Sequence, residues 1–403
     1  MTTVAEFSQL CLNLSQALPP FNIEIVDALG CITSEDIHSK LDMPPHNIAT
    51  TDGYAITAID KEKLESDGKL SLPVVGDVHA HSTHHDTVTD GTCVRVFSGS
   101  PLPHRACHVV RLDHTDRGDV TVNIHTFSQR TYIEETARIA HAGDVIIKAH
   151  TRLTAKHIAL LVAAGYQRVM VHPTPRVAII SIGNELIDPG TPLTIGHTYD
   201  VNSYALSVAT KAAGAEVYRV HASNDDRHSL RDIIDDQLVR SDVIITTGGL
   251  SEGDHSLNDI VSTMENMRLE NISMTPEAKI GAGTVDMDNT LMFCLPGNPV
   301  AALTCFDIFI RPALRKISGY TQNQTRIIKA KASTSFEATS SQRDYISVFV
   351  SGNPSEGYTF TPLHDVFHRD VYTLSQANGY AIVPEYKEYV ASGDELECFI
   401  FNK

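Results

Sequence analysis

Three short loops in the second half of the chain carry residues that could bind a phosphate-bearing ligand. Gly183-Asn-Glu185, Asn224-Asp-Asp226 and residues 246–254 each follow an apolar run of the kind that forms a buried strand. In the last loop, the glycines allow backbone N–H groups to turn toward one point, and Ser251 adds a hydroxyl donor. This combination of donors favours a phosphate site.

Acidic residues in the same loops could hold a metal ion. Glu185, Asp226 and Asp254 supply hard carboxylate oxygens, and Mg2+ prefers one or two carboxylates together with water and substrate phosphates. Each residue also has a structural explanation: Glu185 fits a solvated loop, and Asp225 or Asp226 fits the N-cap of the next helix. Singly, the structural explanations are favoured, so the site prediction depends on the three loops taken together.

The three loops are expected to meet because the segments around them alternate between strands and helices. This alternation predicts a parallel sheet with right-handed crossovers, whose ligands lie beyond the carboxyl ends of the strands. The predicted strands are 177–182, 216–221, 243–247 and 291–295, and the predicted helices are 202–213, 229–239 and 299–317, the last with Asn298 as its N-cap.

The regions before and after this α/β segment have different residue patterns. Thr3-Val-Ala-Glu6 has the form of a capping box and predicts an N-terminal helix that ends before Pro19-Pro20. Residues 22–112 contain short β-branched runs cut by Gly, Pro and Asp, which predicts an all-β module. Short strands resume after Ser318-Gly319, so a small C-terminal β-domain is expected.

Length and composition exclude several classes of protein. The 403 residues exceed the roughly 250–300 at which one core stops growing, so several domains are expected. Lys and Arg total 32 against 49 Asp and Glu, a net charge of −17, which disfavours nucleic acid as a partner. No apolar run approaches the ~18 residues of a membrane span. Seven scattered cysteines without a CxxC pair favour a reducing cytoplasm.

One histidine-rich segment suggests a different chemistry. His79-Ala-His-Ser-Thr-His-His85 has the density of a metal site, but it occupies a polar turn between β-runs and lacks an obvious second shell. A solvated hairpin is therefore favoured over a metal site.

Eight spaced motifs resemble one known family, the molybdopterin molybdenumtransferases, also called the MoeA and gephyrin E-domain family. The resemblance extends over nearly the whole chain. The motifs are Asp27-Ala-Leu-Gly30, Thr51-Asp-Gly-Tyr-Ala55, Arg95-Val-Phe-Ser-Gly99, Ser181-Ile-Gly-Asn-Glu-Leu186, Gly196-His-Thr-Tyr-Asp-Val-Asn202, Thr247-Gly-Gly-Leu-Ser-Glu-Gly-Asp254, Leu295-Pro-Gly-Asn-Pro299 and Ala377-Asn-Gly379.

The resemblance implies an α/β plus β multidomain protein. A discontinuous elongated linker domain would comprise residues 1–42 and 140–173, and an inserted β-domain would comprise 43–139. The central doubly wound α/β molybdopterin-binding domain would comprise 174–318, and a C-terminal β-barrel-like domain 319–403.

The resemblance also implies a reaction and its partners. The family takes adenylylated molybdopterin (molybdopterin adenylate), releases AMP with the help of Mg2+, and places molybdate on the dithiolene sulfurs. It works as a homodimer whose active site lies between the α/β domain of one subunit and the inserted domain of the other. The adenylyltransferase that supplies the substrate and the apo-molybdoenzymes that receive the product are further possible partners.

Carried over to this chain, the resemblance implies three groups of site residues. The catalytic residues would be Glu185, Asp226, Asp52 and Ser98, and the metal ligands would be Glu185, Asp225, Asp226 and Asp254. The cofactor-binding residues would be Thr247, Gly248, Gly249, Ser251, Gly253, Asp254, Pro296, Gly297, Asn298, Pro299, Lys279 and Arg343.

Departures from the family pattern leave a second function open. Thr275, Ser347 and His368 stand where the family carries Lys, Arg and Ser, and the segment Ala137-Arg-Ile139 lacks a site acid. These positions lie on the oxyanion side of the family's pocket. The alternative is a catalytically impaired paralogue that binds the pterin nucleotide or acts as a scaffold.

Overall fold

The structure is a computed structural model. The structure describes residues 1–83, 87–222, 227–250, 255–276, 278–285, 290–321, 327–339, 341–363 and 369–401. The chain divides into two compact units. The core unit comprises Met1–Phe21, Gly30–Ser34 and Met170–Lys403, and the inserted unit comprises Asn22–Leu29 and Glu35–Val169.

The core unit is built around a six-stranded sheet. Its first four strands are parallel and its last two are antiparallel. The order across the sheet is Glu216–Ala222, Arg176–Ile182, Val243–Thr247, Thr290–Leu295, Ala278–Val285 and Met267–Ile272. The parallel strands and the doubly wound α/β fold were predicted. The antiparallel pair was not, and it extends the sheet beyond the strand that ends at Leu295.

Helices cover both faces of this sheet, because its strands bury side chains on both sides. In the strand Arg176–Ile182, Val177 and Ile179 face one core while Ala178 and Ile180 face the other. The described helices that accompany this sheet are Val4–Leu14, Val201–Ala212, Arg227–Leu238, His255–Ser262, Pro299–Cys305 and Arg311–Ile317, with the π-helical turn Phe306–Ile310 between the last two.

Two helix starts follow the predicted chemistry. Thr3 caps the helix Val4–Leu14 in a complete capping box with Glu6. Asn298 caps Pro299–Cys305, its Oδ1 accepting from the N–H groups of Val300 and Ala301 at 3.0 and 3.1 Å.

The C-terminal part of the core unit is a closed five-stranded barrel. Closure comes from the pairing of the first strand with the last, since Arg343–Asn353 pairs with Gly379–Val383. The strands around the barrel are Arg343–Asn353, Gly357–Pro362, Ile327–Ala332, Glu395–Ile400 and Gly379–Val383, and the helix Val371–Gln376 precedes the last of these in the chain.

The inserted unit has a five-stranded sheet and two α-helices. The sheet order is His108–Arg111, Gly53–Ile56, Cys93–Val96, Leu70–Val78 and Thr121–Ile124. The prediction of an all-β module is wrong for Ala58–Asp67, which is a helix capped by Thr57 and ended by Gly68. A second helix, Ala155–Ala163, begins at the predicted cap Thr154.

The remaining elements are short. They are the 3-10 turn Leu112–His114 and the strands Phe21–Glu24, Ile32–Thr33, Ile37–His38, Ile48–Ala49, Ile133–Glu134, Val145–Ile147, Arg168–His172, Leu186–Ile187, Thr198–Tyr199, Met274–Thr275, Phe336–Glu337 and Tyr389–Val390.

All seven cysteines are free thiols, and six of them are buried. Burial raises the pKa of every one, to about 12 for Cys11, Cys93, Cys294 and Cys398. In the described part of the chain, no helix has the length and apolar character needed to cross a membrane.

Candidate functional site

One candidate site lies at the carboxyl edge of the six-stranded sheet. The chain leaves Arg176–Ile182 toward the neighbouring strand on one side, and Val243–Thr247 then pairs on the other side. This reversal of strand order is a topological switch point, where open α/β sheets bind their ligands.

A glycine turn follows Val243–Thr247 at this switch point. Gly248 and Gly249 both have positive φ angles, +92° and +68°. A Cβ atom on Gly248 would lie 2.4 Å from the carbonyl oxygen of Ile182, and the Gly248 N–H donates to the carbonyl of Leu295 at 3.3 Å. The turn therefore packs its backbone against the ends of two neighbouring strands, which only glycine allows.

The Pro296–Pro299 loop adjoins the glycine turn. A Cβ atom on Gly297 would lie 3.8 Å from the Cα atom of Gly248. Thr247 Oγ1 donates to the carbonyl of Pro296 at 3.1 Å. The structure thus brings together Thr247, Gly248, Gly249 and Pro296–Pro299, all of which were predicted to bind the cofactor.

Asn202 ties these two loops together, and sequence reasoning gave it no site role. Its Nδ2 donates to Thr247 Oγ1 and to the carbonyl of Gly297, both at 2.8 Å. Its Oδ1 is buried and has no hydrogen-bond partner among the described residues. The sequence feature that could have indicated a site role for Asn202 is the motif Asp200-Val-Asn202 at the start of a helix.

Asp200 fixes the helix that carries Asn202. It is buried and caps the helix, accepting the Ser203 N–H at 3.0 Å. The hydroxyls of Ser203 and Ser181 donate to its Oδ2, both at 2.6 Å. These bonds anchor the first turn of the helix to the strand Arg176–Ile182.

Lys279 and Glu185 approach the site from two further segments. Lys279, on Ala278–Val285, donates its Nζ to the carbonyl of Leu250 at 3.2 Å, so it contacts the glycine turn. Glu185 is exposed, and its carboxylate folds back over Gly183, where a Cβ atom would lie 2.7 Å from both carboxylate oxygens.

Five predicted site residues lie outside the described residues: Asp225, Asp226, Ser251, Gly253 and Asp254. Within the described ranges, no group of three His, Cys, Asp or Glu side chains could hold a metal ion. Glu185 supplies one exposed carboxylate in the loop that follows the strand Arg176–Ile182, which suits the few protein ligands that Mg2+ requires when phosphates complete its shell.

Arg343 lies in a different place from the glycine turn. Its Nε is 3.0 Å from Glu385 Oε1, and it lines a cavity of about 650 Å³ together with Val4 and Tyr345. Thr275 donates to Gln342 at 2.8 Å. His368 lies outside the described residues. The described contacts of Arg343 therefore join it to Glu385 rather than to the turn.

A second, separate candidate site lies in the inserted unit. The structure brings together the predicted residues Asp52 and Ser98, because Asp52 Oδ1 accepts the Ser98 N–H at 2.8 Å. Both line a cavity of about 400 Å³ with Thr50, Thr51, Arg111, Leu112, Asp113 and Arg117.

Two arginines in this cavity were not predicted as site residues. Arg111 donates to Asp113 at 2.7 Å and lies 5.6 Å from the ring centre of Tyr132. Arg117 is exposed, has a φ of +60° and makes no ion pair within the described part of the chain. By contrast Arg105, at φ +67°, bonds both carboxylate oxygens of Asp90. The spacing of Arg111 and Arg117 alone carried no signal, because a loop must bring them together.

The histidine-rich segment is only partly described. The His79 ring stacks on Phe97 with 4.4 Å between ring centres, and His81 stacks on His79 at 5.6 Å. His84 and His85 lie outside the described residues, so the solvated hairpin stays a prediction.

The fold and the glycine turn define a class: a multidomain α/β protein that can accept an anionic ligand at the switch point of a doubly wound sheet. Two family models match the chain. The MoeA N-terminal region (domain I and II) matches residues 2–165, and a probable molybdopterin binding domain matches residues 178–316. The chain belongs to the molybdopterin molybdenumtransferases, a family of transferases in molybdenum cofactor biosynthesis, as its motifs predicted.

Named relatives and solved structures agree with this assignment. Molybdopterin molybdenumtransferase 1 of Mycobacterium tuberculosis is 30% identical over 399 residues, 94% of each chain. A molybdopterin molybdenumtransferase of Nostoc is 28% identical over 98% of this chain and 93% of its own. The crystal structure of a molybdopterin biosynthesis MoeA protein from Pyrococcus is 26% identical, with a TM-score of 0.82 and full coverage of both chains.

Proposed function

We propose that this protein inserts molybdenum into molybdopterin, using adenylylated molybdopterin and molybdate as substrates and releasing AMP. The observation that carries this proposal is the glycine turn at the switch point. The N–H groups of Gly249 and Leu250 have no acceptor among the described residues. Free N–H groups on a positive-φ turn suit a phosphate group.

In the proposed reaction, a water oxygen bonds to one phosphorus of the diphosphate while the bond from that phosphorus to the bridging oxygen breaks. AMP and the phosphate monoester of molybdopterin separate, and the two protons of the water pass to phosphate oxygens or to solvent. The turn N–H groups would hold the phosphate and offset its growing negative charge. Mg2+ bound by Glu185 together with Asp225, Asp226 or Asp254 would supply a Lewis acid for the phosphate oxygens. The proposed role of Glu185 is to fix that charge beside the turn.

In the same proposal, the cavity of the inserted unit is a second place where an anion binds. Asp52 is held by the Ser98 N–H, and the guanidinium of Arg117, which makes no ion pair within the described part of the chain, is suited to a phosphate or oxyanion, whereas that of Arg111 is bonded to Asp113. We propose a homodimer, as the family resemblance implies, and a cytoplasmic protein, since seven free thiols suit a reducing compartment. The adenylyltransferase and apo-molybdoenzymes remain proposed partners.

A second candidate function is a pterin-nucleotide carrier or scaffold that has lost molybdate insertion. The observation favouring it is that Arg343 is paired with Glu385, while Thr275 is bonded to Gln342. A dianion needs several charge-assisted donors in a partly dehydrated pocket. We expect molybdate binding at least about tenfold weaker than in a relative with the full motif.

A paired assay separates the two functions. AMP release and molybdenum incorporation into the pterin are followed in one preparation, beside a relative with the full motif. Comparable rates for both reactions would reject the carrier. AMP release without incorporation would reject the transferase, and the absence of both would support the carrier.

The role of the turn is tested by Gly249→Val. A Cβ atom there would lie 3.1 Å from Leu257 Cβ at a φ of +68°, so the turn must shift. We expect calorimetry to show loss of adenylylated pterin binding. An unchanged affinity would remove the turn from the site.

The homodimer is tested separately by light scattering. A protein that is monomeric at micromolar concentration would contradict it.

A further inference from the structure

Three side-chain nitrogen atoms converge on the glycine turn from three different elements. Lys279 Nζ and Asn258 Nδ2 both donate to the carbonyl of Leu250, at 3.2 and 3.4 Å. Asn202 Nδ2 donates to Thr247 Oγ1 at 2.8 Å. Asn202 belongs to Val201–Ala212, Asn258 to His255–Ser262 and Lys279 to Ala278–Val285. Both ends of the turn are therefore held from outside.

These contacts fall on two oxygen atoms of the turn, while two of its N–H groups have no acceptor among the described residues. The carbonyl of Leu250 takes two donors, and Thr247 Oγ1 takes one. Of the turn N–H groups, that of Gly248 bonds to Leu295, while those of Gly249 and Leu250 lack an acceptor in the described part of the chain. A turn held by its oxygen atoms presents its N–H groups, which is the arrangement an anion needs.

The two asparagines share an unusual feature. The Oδ1 atoms of Asn202 and Asn258 are both buried, and neither has a partner among the described residues. The carbonyls of Gly297 and Leu250 can only accept, so the NH2 group of each amide must face them. Among the described residues, the NH2 group therefore makes all the hydrogen bonds that orient each of these two side chains.

We propose that Asn202, Asn258 and Lys279 are positioning residues that hold the glycine turn in its anion-accepting form. This inference rests on the proposed function, in which the turn receives the phosphate of adenylylated molybdopterin. Asn202 is the strongest of the three, because it also joins the turn to Gly297. Lys279 thus acts through the carbonyl of Leu250.

The test has one readout without ligand and one with it. In the ligand-free protein, hydrogen exchange of the Gly248 amide reports whether the turn keeps its bond to Leu295. We expect Asn202→Ala to speed that exchange and to weaken binding of adenylylated molybdopterin by about tenfold or more. Asn258→Ala, which removes one longer bond, should weaken binding by about threefold.

Two controls exclude a merely structural effect. Asn378 also bonds backbone through its amide, to both the N–H and the carbonyl of Val350, but in the barrel. Asn378→Ala should lower the Tm and leave Gly248 exchange and affinity unchanged. Lys279→Arg keeps a donor and should retain affinity that Lys279→Met loses.

The outcomes are distinguishable. Unchanged Gly248 exchange in both asparagine variants would overturn the positioning role, even if binding is intact. Faster exchange with unchanged affinity would support the hold on the turn and reject the turn as the phosphate site, which is the proposed function. Faster exchange with weaker binding supports both.

Discussion

The two candidate sites, one in each part of the molecule, are built in opposite ways. At the edge of the six-stranded sheet, side chains such as Asn202 hold the backbone, and the N–H groups of Gly249 and Leu250 have no acceptor among the described residues. In the inserted unit, backbone holds side chains: the Ser98 N–H fixes Asp52, and the guanidinium groups of Arg111 and Arg117 face the cavity. The first site should therefore be sensitive to added volume, and the second to lost charge.

The largest expected effect is that of added volume at Gly248. Gly248→Ala places a Cβ atom 2.4 Å from the carbonyl oxygen of Ile182 at a φ of +92°. It should lower the free energy of unfolding by about 4 kcal/mol, because backbone strain and overpacking each cost about 1–3 kcal/mol. Denaturant unfolding measures it. Gly297→Ala is the matched control, since its new atom meets only Gly248 Cα at 3.8 Å. Equal losses in both variants would refute the volume argument.

The second largest expected effect is a loss of stability of the inserted unit at low pH. His108, on the same strand as Arg111, is 1% exposed, and burial lowers its pKa to about 4. The unfolded chain binds a proton near pH 6.5 that the folded chain does not, so stability is full above that pH. It should fall by up to about 3 kcal/mol as the pH drops from 6.5 toward 4.

The measurement is hydrogen exchange of the strand Gly53–Ile56, which pairs with the strand of His108. His108→Asn should flatten the pH dependence over that range, whereas the same change at exposed His81 should preserve it. A slope that survives His108→Asn would assign the acid sensitivity to another group.

The smallest expected effect is that of lost charge at Arg117. Arg117→Gln should weaken binding of molybdate or phosphate by about tenfold, and the difference should shrink at high ionic strength. Arg105→Gln is matched in residue type and positive φ, but its guanidinium is occupied by Asp90 and should have no effect. Calorimetry at two salt concentrations measures both. Equal behaviour of the two variants would remove Arg117 from the site.

Local chemistry accounts for what the sequence predicted well. The strand Val243–Thr247, the cap at Asn298 and the capping box at Thr3 depend on neighbouring residues, and all three are present. The helix Ala58–Asp67 was missed because the segments on either side of it have the residue pattern of strands. Thr57 and Gly68 are nevertheless common residue types at the N-terminal and C-terminal caps of helices.

Long-range pairing accounts for what was missed in the site. Asn202 reaches Gly297 across 95 positions of sequence, and no local pattern indicates that contact. Arg111 and Arg117 share a cavity only because of the loop between them. The strand Ala278–Val285 carries Lys279 to the turn through an antiparallel pairing that the alternation of strands and helices did not predict.

The burial of the cysteines has a consequence for the proposed substrate, whose dithiolene carries two sulfur atoms. The thiolate form of cysteine binds soft metals and exchanges with other sulfur compounds. With their pKa values raised, the seven thiols stay protonated at neutral pH. The protonated cysteines should therefore not compete with the dithiolene sulfurs of the ligand for molybdenum.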